Sequence, residues 1–169
     1  MTELPKRKNT RLKEFDYSQS SYYFVTICMK NRQEFFSHIV NSKLILTEFG
    51  KILDEVWNNL PEYYNVELDY YIIMPDHFHG IIIIDNSLKI NAKEQKKESS
   101  LSDIIGKFKS FTTRKIRETL SDKTEFKWQK SFYDRIIRNE NELFNIRKYI
   151  QENPLRWDIE KNSPENLEM

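Results

Sequence analysis

The segment from Val66 to Ile84, VELDYYIIMPDHFHGIIII, leaves the chain few architectures to choose from. Val66, Leu68, Tyr70 and Ile72 recur with the period of two expected of a strand that covers one face. Met74-Pro75-Asp76 forms a short connection, and His77 to Ile84 reads as a second strand. Two adjacent strands joined this tightly make a hairpin, so the sheet at the centre of the molecule is antiparallel. Ile81 to Ile84 is the longest purely apolar run. It falls far short of the roughly 20 residues of a membrane span.

Other elements are placed around this hairpin by their own signals. Tyr22 to Met29 is aromatic and β-branched and reads as a strand, closed by Lys30-Asn31-Arg32. Thr47 suits an N-cap, and Phe49, Ile52, Leu53, Val56, Trp57 and Leu60 follow helical spacing up to Pro61. Residues 85–100 are polar and aperiodic, which predicts a long mobile loop. Ser100 caps a helix with Leu101, Ile104, Ile105, Phe108, Thr112, Ile116 and Leu120 on one side and Lys107, Ser110, Arg114 and Arg117 on another. A strand is expected within Phe126 to Arg138. Asn139 followed by Glu142 opens a last helix through Leu143, Ile146 and Ile150. Pro154 disfavours the α conformation at the residue before it, so this helix is expected to end near Asn153, with a frayed acidic tail over about 158–169. The order strand, helix, strand, strand, helix, strand, helix implies one α+β sandwich domain over residues 1–169.

Composition excludes several classes of function. A chain of 169 residues buries roughly 70% of its unfolded surface, enough to fold without staples. Its single cysteine, Cys28, forms neither an internal disulfide nor a thiolate zinc site, and this points to a reducing, cytoplasmic setting. The N-terminal MTELPKRKNTRLKEF has no apolar core of the signal-peptide kind, so a soluble, unprocessed protein is expected. With glycine only at positions 50, 80 and 106, no phosphate loop or dinucleotide fingerprint can be written, and no nucleotide cofactor is expected.

The net charge of +1 hides a segregated distribution. Residues 1–13, a basic arm containing Arg11, carry five basic and one acidic side chain, and residues 101–138 carry ten and five. Residues 14–100 (eight basic, thirteen acidic) and 139–169 (four, seven) balance them. Lys107, Lys109, Arg114, Arg117 and Lys127 interleave with Phe108, Phe111 and Trp128, as a surface that tracks phosphates and stacks bases would require. The same composition also fits a solvated helix face over a core.

Two constellations could carry chemistry. His77 and His79, two of only three histidines, flank Phe78 and share a strand face about 7 Å apart, from which two neutral imidazoles can converge on one ion. A pair of surface or hydrogen-bonded histidines opening a strand has the same spacing. Tyr149 and Asn153 lie four apart near a helix end and share a face, with a hydroxyl and an amide that could enter one site. Tyr149 as a half-buried packing residue and Asn153 as a helix terminator fit equally well.

Taken together these segments resemble a known family. MPDHFHGIIII, followed by FKWQKSFYDRIIRNENELFNIRKYIQENPLRW, resembles the small HUH transposases with a single catalytic tyrosine, most closely the REP-associated tyrosine transposases. DYSQSSYYFVTICMKNRQEFF and IIGKFKSFTTRKI extend the similarity over roughly residues 11–157. The resemblance implies a ferredoxin-like (RRM-like) sheet with His77 and His79 on a central strand and Tyr149 on a neighbouring helix. It implies Mg²⁺ or Mn²⁺ held by His77, His79 and Asn153, where insertion-sequence relatives usually carry Gln. It further implies single-stranded DNA as substrate beside REP-like or insertion-end hairpins, action at the nucleoid, and a monomer or a homodimer with exchanged helices.

A tyrosine hydroxyl ionises near pH 10 and needs help to act as a nucleophile. An ion that polarises the scissile phosphate supplies that help, and Tyr149 would then form a 5′-phosphotyrosine link that a second 3′-OH reverses. Asp76 reads as a turn residue. Lys107, Lys109, Arg114 and Arg117, with Arg11 and Arg138, are the expected DNA contacts. Competing readings are a DNA-hairpin or RNA binding module stacking bases on Phe78 and Tyr22 to Phe24, and a metal-dependent hydrolase that uses water.

Overall fold

The computed structural model describes residues 21–85, 99–122 and 126–161. Arg11 and the rest of the basic arm, most of the 85–100 loop and residues 162–169 of the expected tail lie outside them. The elements run β1 (Ser21–Cys28), β2 (Ser37–Val40), β3 (Lys43–Leu46), α1 (Glu48–Asn58), α2 (Leu60–Tyr63), β4 (Val66–Ile73), β5 (His77–Ile84), α3 (Leu101–Thr119), β6 (Tyr133–Ile137) and α4 (Glu140–Lys161). Four strands form one sheet in the order β4-β5-β1-β6, all pairs antiparallel. With α1 between β1 and β4, and α3 between β5 and β6, this is the ferredoxin-like βαββαβ arrangement.

Side-chain alternation along the two central strands sorts the molecule into three layers. Tyr23, Val25 and Ile27 of β1, with Phe78 and Ile82 of β5, meet Leu53 and Trp57 of α1 and Ile104, Ile105 and Phe108 of α3 in the main core. On the opposite face Ile81 packs with Ile137 and with Leu143 and Ile150 of α4 in a smaller cluster, joined by Phe24, Ile72 and Ile146. His77 and His79 have the same parity as Ile81, so they face α4.

Most caps follow the sequence. Thr47 Oγ1 accepts from Gly50 N at 3.1 Å, and Ser100 and Asp103 form a reciprocal capping box on α3. At α4, Asn139 Oδ1 accepts from Glu142 N, while the Glu142 carboxylate takes the N–H of Arg138. Four expectations are corrected. The single-face alternation of Val66, Leu68, Tyr70 and Ile72 breaks at a β-bulge between Leu68 and Tyr71, so Val66 and Leu68 share the main core with Tyr71 and Ile73 while Ile72 packs on the opposite face. Pro61 does not terminate helical structure; it sits in the first turn of α2, where its missing N–H costs nothing. Ser37–Val40 and Lys43–Leu46 form an unanticipated hairpin, turned at Asn41 and Ser42 with φ of 52° and 58°, the left-handed pair of a two-residue turn. Finally, α4 runs through Pro154 to Lys161 instead of ending at Asn153. Proline there forfeits the hydrogen bond to the Ile150 carbonyl. Contacts beyond it hold the extra turns: Asp158 accepts from Ser42 N and Oγ at 2.9 and 3.0 Å, and Lys161 pairs with Glu34.

Gly50 seats α1 on the β2–β3 hairpin. An added Cβ would lie 2.1 Å from the Phe36 carbonyl oxygen, which is fixed by Thr47 N and Thr47 Oγ1. Gly50→Ala is therefore expected to lower stability by about 1–3 kcal/mol, read as a fall in the urea midpoint at unchanged slope.

Candidate active site

Pairing of β1 with β5 sets Cys28 opposite His77 and Thr26 opposite His79. All four side chains share the face covered by α4, and a cavity of about 460 Å³ opens there, lined also by Arg32, Tyr149, Asn153 and Arg156. His77 and His79 are both buried, at 7% and 5% exposure, and their Nε2 atoms lie 3.0 Å apart. Although successive same-face positions on a strand are about 7 Å apart, the rings lean together to a centroid distance of 4.5 Å.

Each imidazole is gripped through its other nitrogen. His77 Nδ1 donates to Asp76 Oδ1 at 2.5 Å, and Asp76 Oδ2 accepts from Arg32 Nε at 2.7 Å. His79 Nδ1 is 2.8 Å from Thr26 Oγ1, and Phe24 stacks on the His79 ring at 5.3 Å. Burial, then the neighbouring His77 and Arg32, push the His79 pKa down to about 3, so the ring is neutral and keeps a lone pair for a ligand. Asp76, read from sequence as a turn residue, does lie in the bend between β4 and β5, and its side chain is 3% exposed and orients a histidine. A carboxylate next to the histidine pair was the available signal. Arg32 and Thr26 gave none, because only the strand register and the turn after β1 bring them near.

Tyr149 and Asn153 meet the histidines. Tyr149 Oη is 3.4 Å from His79 Nε2, its ring lies edge-on to Phe24 at 6.1 Å, and it remains 37% exposed. Asn153, one turn further along α4, is 7% exposed and lines the same cavity. Continuation of α4 past Pro154 adds residues that sequence reasoning did not single out: Trp157 lies 6.0 Å from the His77 ring, and Arg156 lines the cavity beside Tyr149.

Two imidazole nitrogens with an amide oxygen beside them could hold a divalent metal ion. Two adjacent ligands at right angles, each about 2.1 Å from an ion, are separated by about 3.0 Å, the spacing of the two Nε2 atoms. Among the described residues no group of three His, Cys, Asp or Glu forms a metal site here, and the Asn153 amide lines the same cavity as the two histidines.

The expected DNA contacts lie elsewhere. A groove of about 1140 Å³ runs between α3 and the segment 127–130, with Lys30, Lys109, Arg114, Arg117, Lys127 and Lys130 among its walls. Lys109 Nζ donates to the carbonyls of Gln129 and Lys130 at 2.7 and 3.1 Å, and Arg117 holds the Phe126 carbonyl at 3.0 Å. Arg114 lies over Phe111 at 5.2 Å. Lys107 is exposed but outside the groove walls, and Arg138 is exposed beside the start of α4. Phe78 and Tyr23 are fully buried under α1 and α3, so they offer no platform for base stacking. No described helix is long and apolar enough to cross a membrane.

Known proteins share the fold and the family. A Haemophilus influenzae protein described only as uncharacterized is 32% identical over 164 residues, covering 90% of each chain. A second from that organism, named provisionally as a REP-associated tyrosine transposase, is 21% identical over 145 residues, 83% of this chain and 74% of its own. The solved structure of a REP-associated tyrosine transposase bound to a REP hairpin superposes with a TM-score of 0.60 at 18% identity, over 87% of this chain and 74% of that one. The fold is thus the one this transposase uses. A sequence profile described as "Transposase IS200 like" matches residues 17–153, which include both histidines, Tyr149 and Asn153, and the chain therefore belongs to the IS200-like transposase family.

Proposed function

We propose that the chain cleaves and rejoins single-stranded DNA beside hairpins, using Tyr149 as the nucleophile and a divalent cation, Mg²⁺ or Mn²⁺, held by His77, His79 and Asn153. The observation that carries this reading is the placement of the Tyr149 hydroxyl 3.4 Å from His79 Nε2, a buried nitrogen that lies 3.0 Å from His77 Nε2. Such an ion, when bound, neutralises charge on a phosphate and orients it for in-line displacement.

The protein's own groups do the rest. Asp76 fixes the proton of His77 on Nδ1, which leaves Nε2 free to act as a ligand. Thr26 does the same for His79 when its hydroxyl oxygen accepts from Nδ1. Tyr149 Oη attacks the phosphorus, the bond from phosphorus to the 3′ oxygen breaks, and the departing 3′ oxygen takes up a proton as the phenol loses one. The product is a 5′-phosphotyrosine. A second 3′-OH attacks that phosphorus and restores the phenol, so the phosphodiester energy is conserved and no nucleotide is consumed.

DNA reaches the site from the basic side. Lys30 follows the strand end that carries Cys28, and the groove it shares with Arg114, Lys127 and Lys130 supplies exposed cations for phosphates. In this reading Lys109 and Arg117 chiefly shape the groove, because their cations already hold backbone carbonyls. Lys107 and Arg138 flank it, with Arg11 on the N-terminal arm. The hairpin on the REP-associated relative suggests hairpin-bearing DNA as the partner here too. Action would be in the cytoplasm, at the nucleoid.

The test is incubation of the full chain with Mn²⁺ and labelled single-stranded hairpins copied from the DNA flanking its gene. A protein-linked band on a denaturing gel is the expected result. Cleaved ends with no protein attached would instead mark a hydrolase that uses water.

A further inference from the structure

Of the cationic side chains in the described part of the active-site cavity, one is already committed and one is not. Arg32 is spent on Asp76 Oδ2 at 2.7 Å and on Cys28 Sγ at 3.0 Å. Arg156 lies three residues after Asn153 and seven after Tyr149, two turns along the same face of α4. Its guanidinium carbon sits 5.7 Å from the centroid of the Tyr149 ring, and its only described ion pair is with Glu152 at 3.2 Å on the same helix. The Arg156 side chain is 57% exposed, and an i,i+4 pair this exposed holds its partners only weakly. A phosphate can displace Glu152 easily. Arginine also presents paired N–H donors that match phosphate oxygens two at a time.

We infer that Arg156 is a catalytic residue whose guanidinium binds the non-bridging oxygens of the phosphate attacked by Tyr149, and that this phosphate therefore lies between the Tyr149 hydroxyl and the Arg156 side of the cavity. The inference rests on Tyr149 being the nucleophile. As Tyr149 Oη bonds to phosphorus and the 3′ oxygen leaves, negative charge gathers on the two non-bridging oxygens, and donors aimed there are strengthened in the transition state. The continuation of α4 beyond Pro154 makes this possible. Had the helix stopped at Asn153, Arg156 would have had no fixed place over the tyrosine ring.

The experiment compares Arg156→Ala with the parent chain on two versions of one hairpin-bearing strand. The first is the unmodified strand whose cleavage position the adduct assay maps. The second carries a neutral methylphosphonate at that position. On the unmodified strand Arg156→Ala is expected to slow single-turnover adduct formation by about 10²-fold. On the methylphosphonate strand, where the charge to be neutralised is gone, parent and variant are expected to react within about threefold of each other. Equal slowing on both strands would overturn the inference, since it would show that Arg156 merely props the Tyr149 ring. Arg156→Lys, which keeps the charge without the fork, is expected to recover part of the rate on the unmodified strand only. An Arg156→Ala rate unchanged on the unmodified strand also overturns it. If the parent chain forms no adduct at all, the tyrosine assignment fails first and the Arg156 role falls with it.

Discussion

Tyr149→Phe is expected to leave no covalent protein–DNA band on a denaturing gel, a loss of at least about 10⁴-fold in adduct formation, while hairpin binding by fluorescence anisotropy stays within about twofold. The disparity follows from how Tyr149 is held. Among the described residues its hydroxyl has one hydrogen-bonding neighbour, His79 Nε2 at 3.4 Å, so removing it is expected to cost the fold about 1 kcal/mol or less. Its ring keeps the edge contact with Phe24 and the face presented to Arg156, both of which phenylalanine preserves. The variant should melt within a few degrees of the parent and still bind DNA, because the proposed phosphate contacts lie in the basic groove, whose walls do not include Tyr149. The control is Tyr133→Phe, since Tyr133 is the other tyrosine on the described walls of the same cavity. An adduct that persists in Tyr149→Phe and vanishes in Tyr133→Phe would move the nucleophile from α4 to β6.

A second large effect is expected at the histidines. Titration of Mn²⁺ into the DNA-free chain, followed by calorimetry, should show one site in the parent and none in the His77→Ala, His79→Ala double variant. Adduct formation in Mn²⁺ should disappear with it. Asp76→Asn should weaken the ion about 10- to 100-fold with both ligands still present, because it removes the carboxylate that fixes the His77 proton on Nδ1 and raises the basicity of Nε2. Circular dichroism separates these losses from unfolding, since both histidines sit on the side of the sheet away from the main core. Undiminished Mn²⁺ binding in the double variant would sink the ligand assignment.

The sheet and its main helices were legible because each is written in local code. Thr47 and Ser100 are capping residues with helical periodicity behind them, and Val66 to Ile84 states its hairpin outright. The β2–β3 hairpin was missed although Asn41-Ser42 is a reasonable left-handed pair, since four-residue strands give a weak period. The path of α4 was misjudged for a different reason. Proline's local preference is real, but the bonds of Asp158 to Ser42, 116 residues away in the chain, outweigh it. Site residues divide the same way. His77, His79, Tyr149 and Asn153 were visible through spacing and family resemblance, whereas the Arg32–Asp76 pair and the Thr26 contact exist only once β1 lies beside β5.

The two faces of the sheet are fastened by unlike means. On one side Trp57, Phe78 and Phe108 pack against one another, fully buried, in the main core. On the other, α4 rests on the small Ile81, Ile137, Leu143 and Ile150 cluster and is tied at its flanks by charge: Arg147 grips Asp69 through Nε and Nη2, Asp158 holds Ser42, and Lys161 meets Glu34. Dissolved ions weaken attractions of the second kind and leave the first nearly untouched. Rising ionic strength is therefore expected to loosen the helix that carries Tyr149 at the same time as it thins the proposed attraction for the nucleic-acid backbone. Capture of the strand and correct seating of the tyrosine would thus share one environmental dependence, while the scaffold beneath them stays intact.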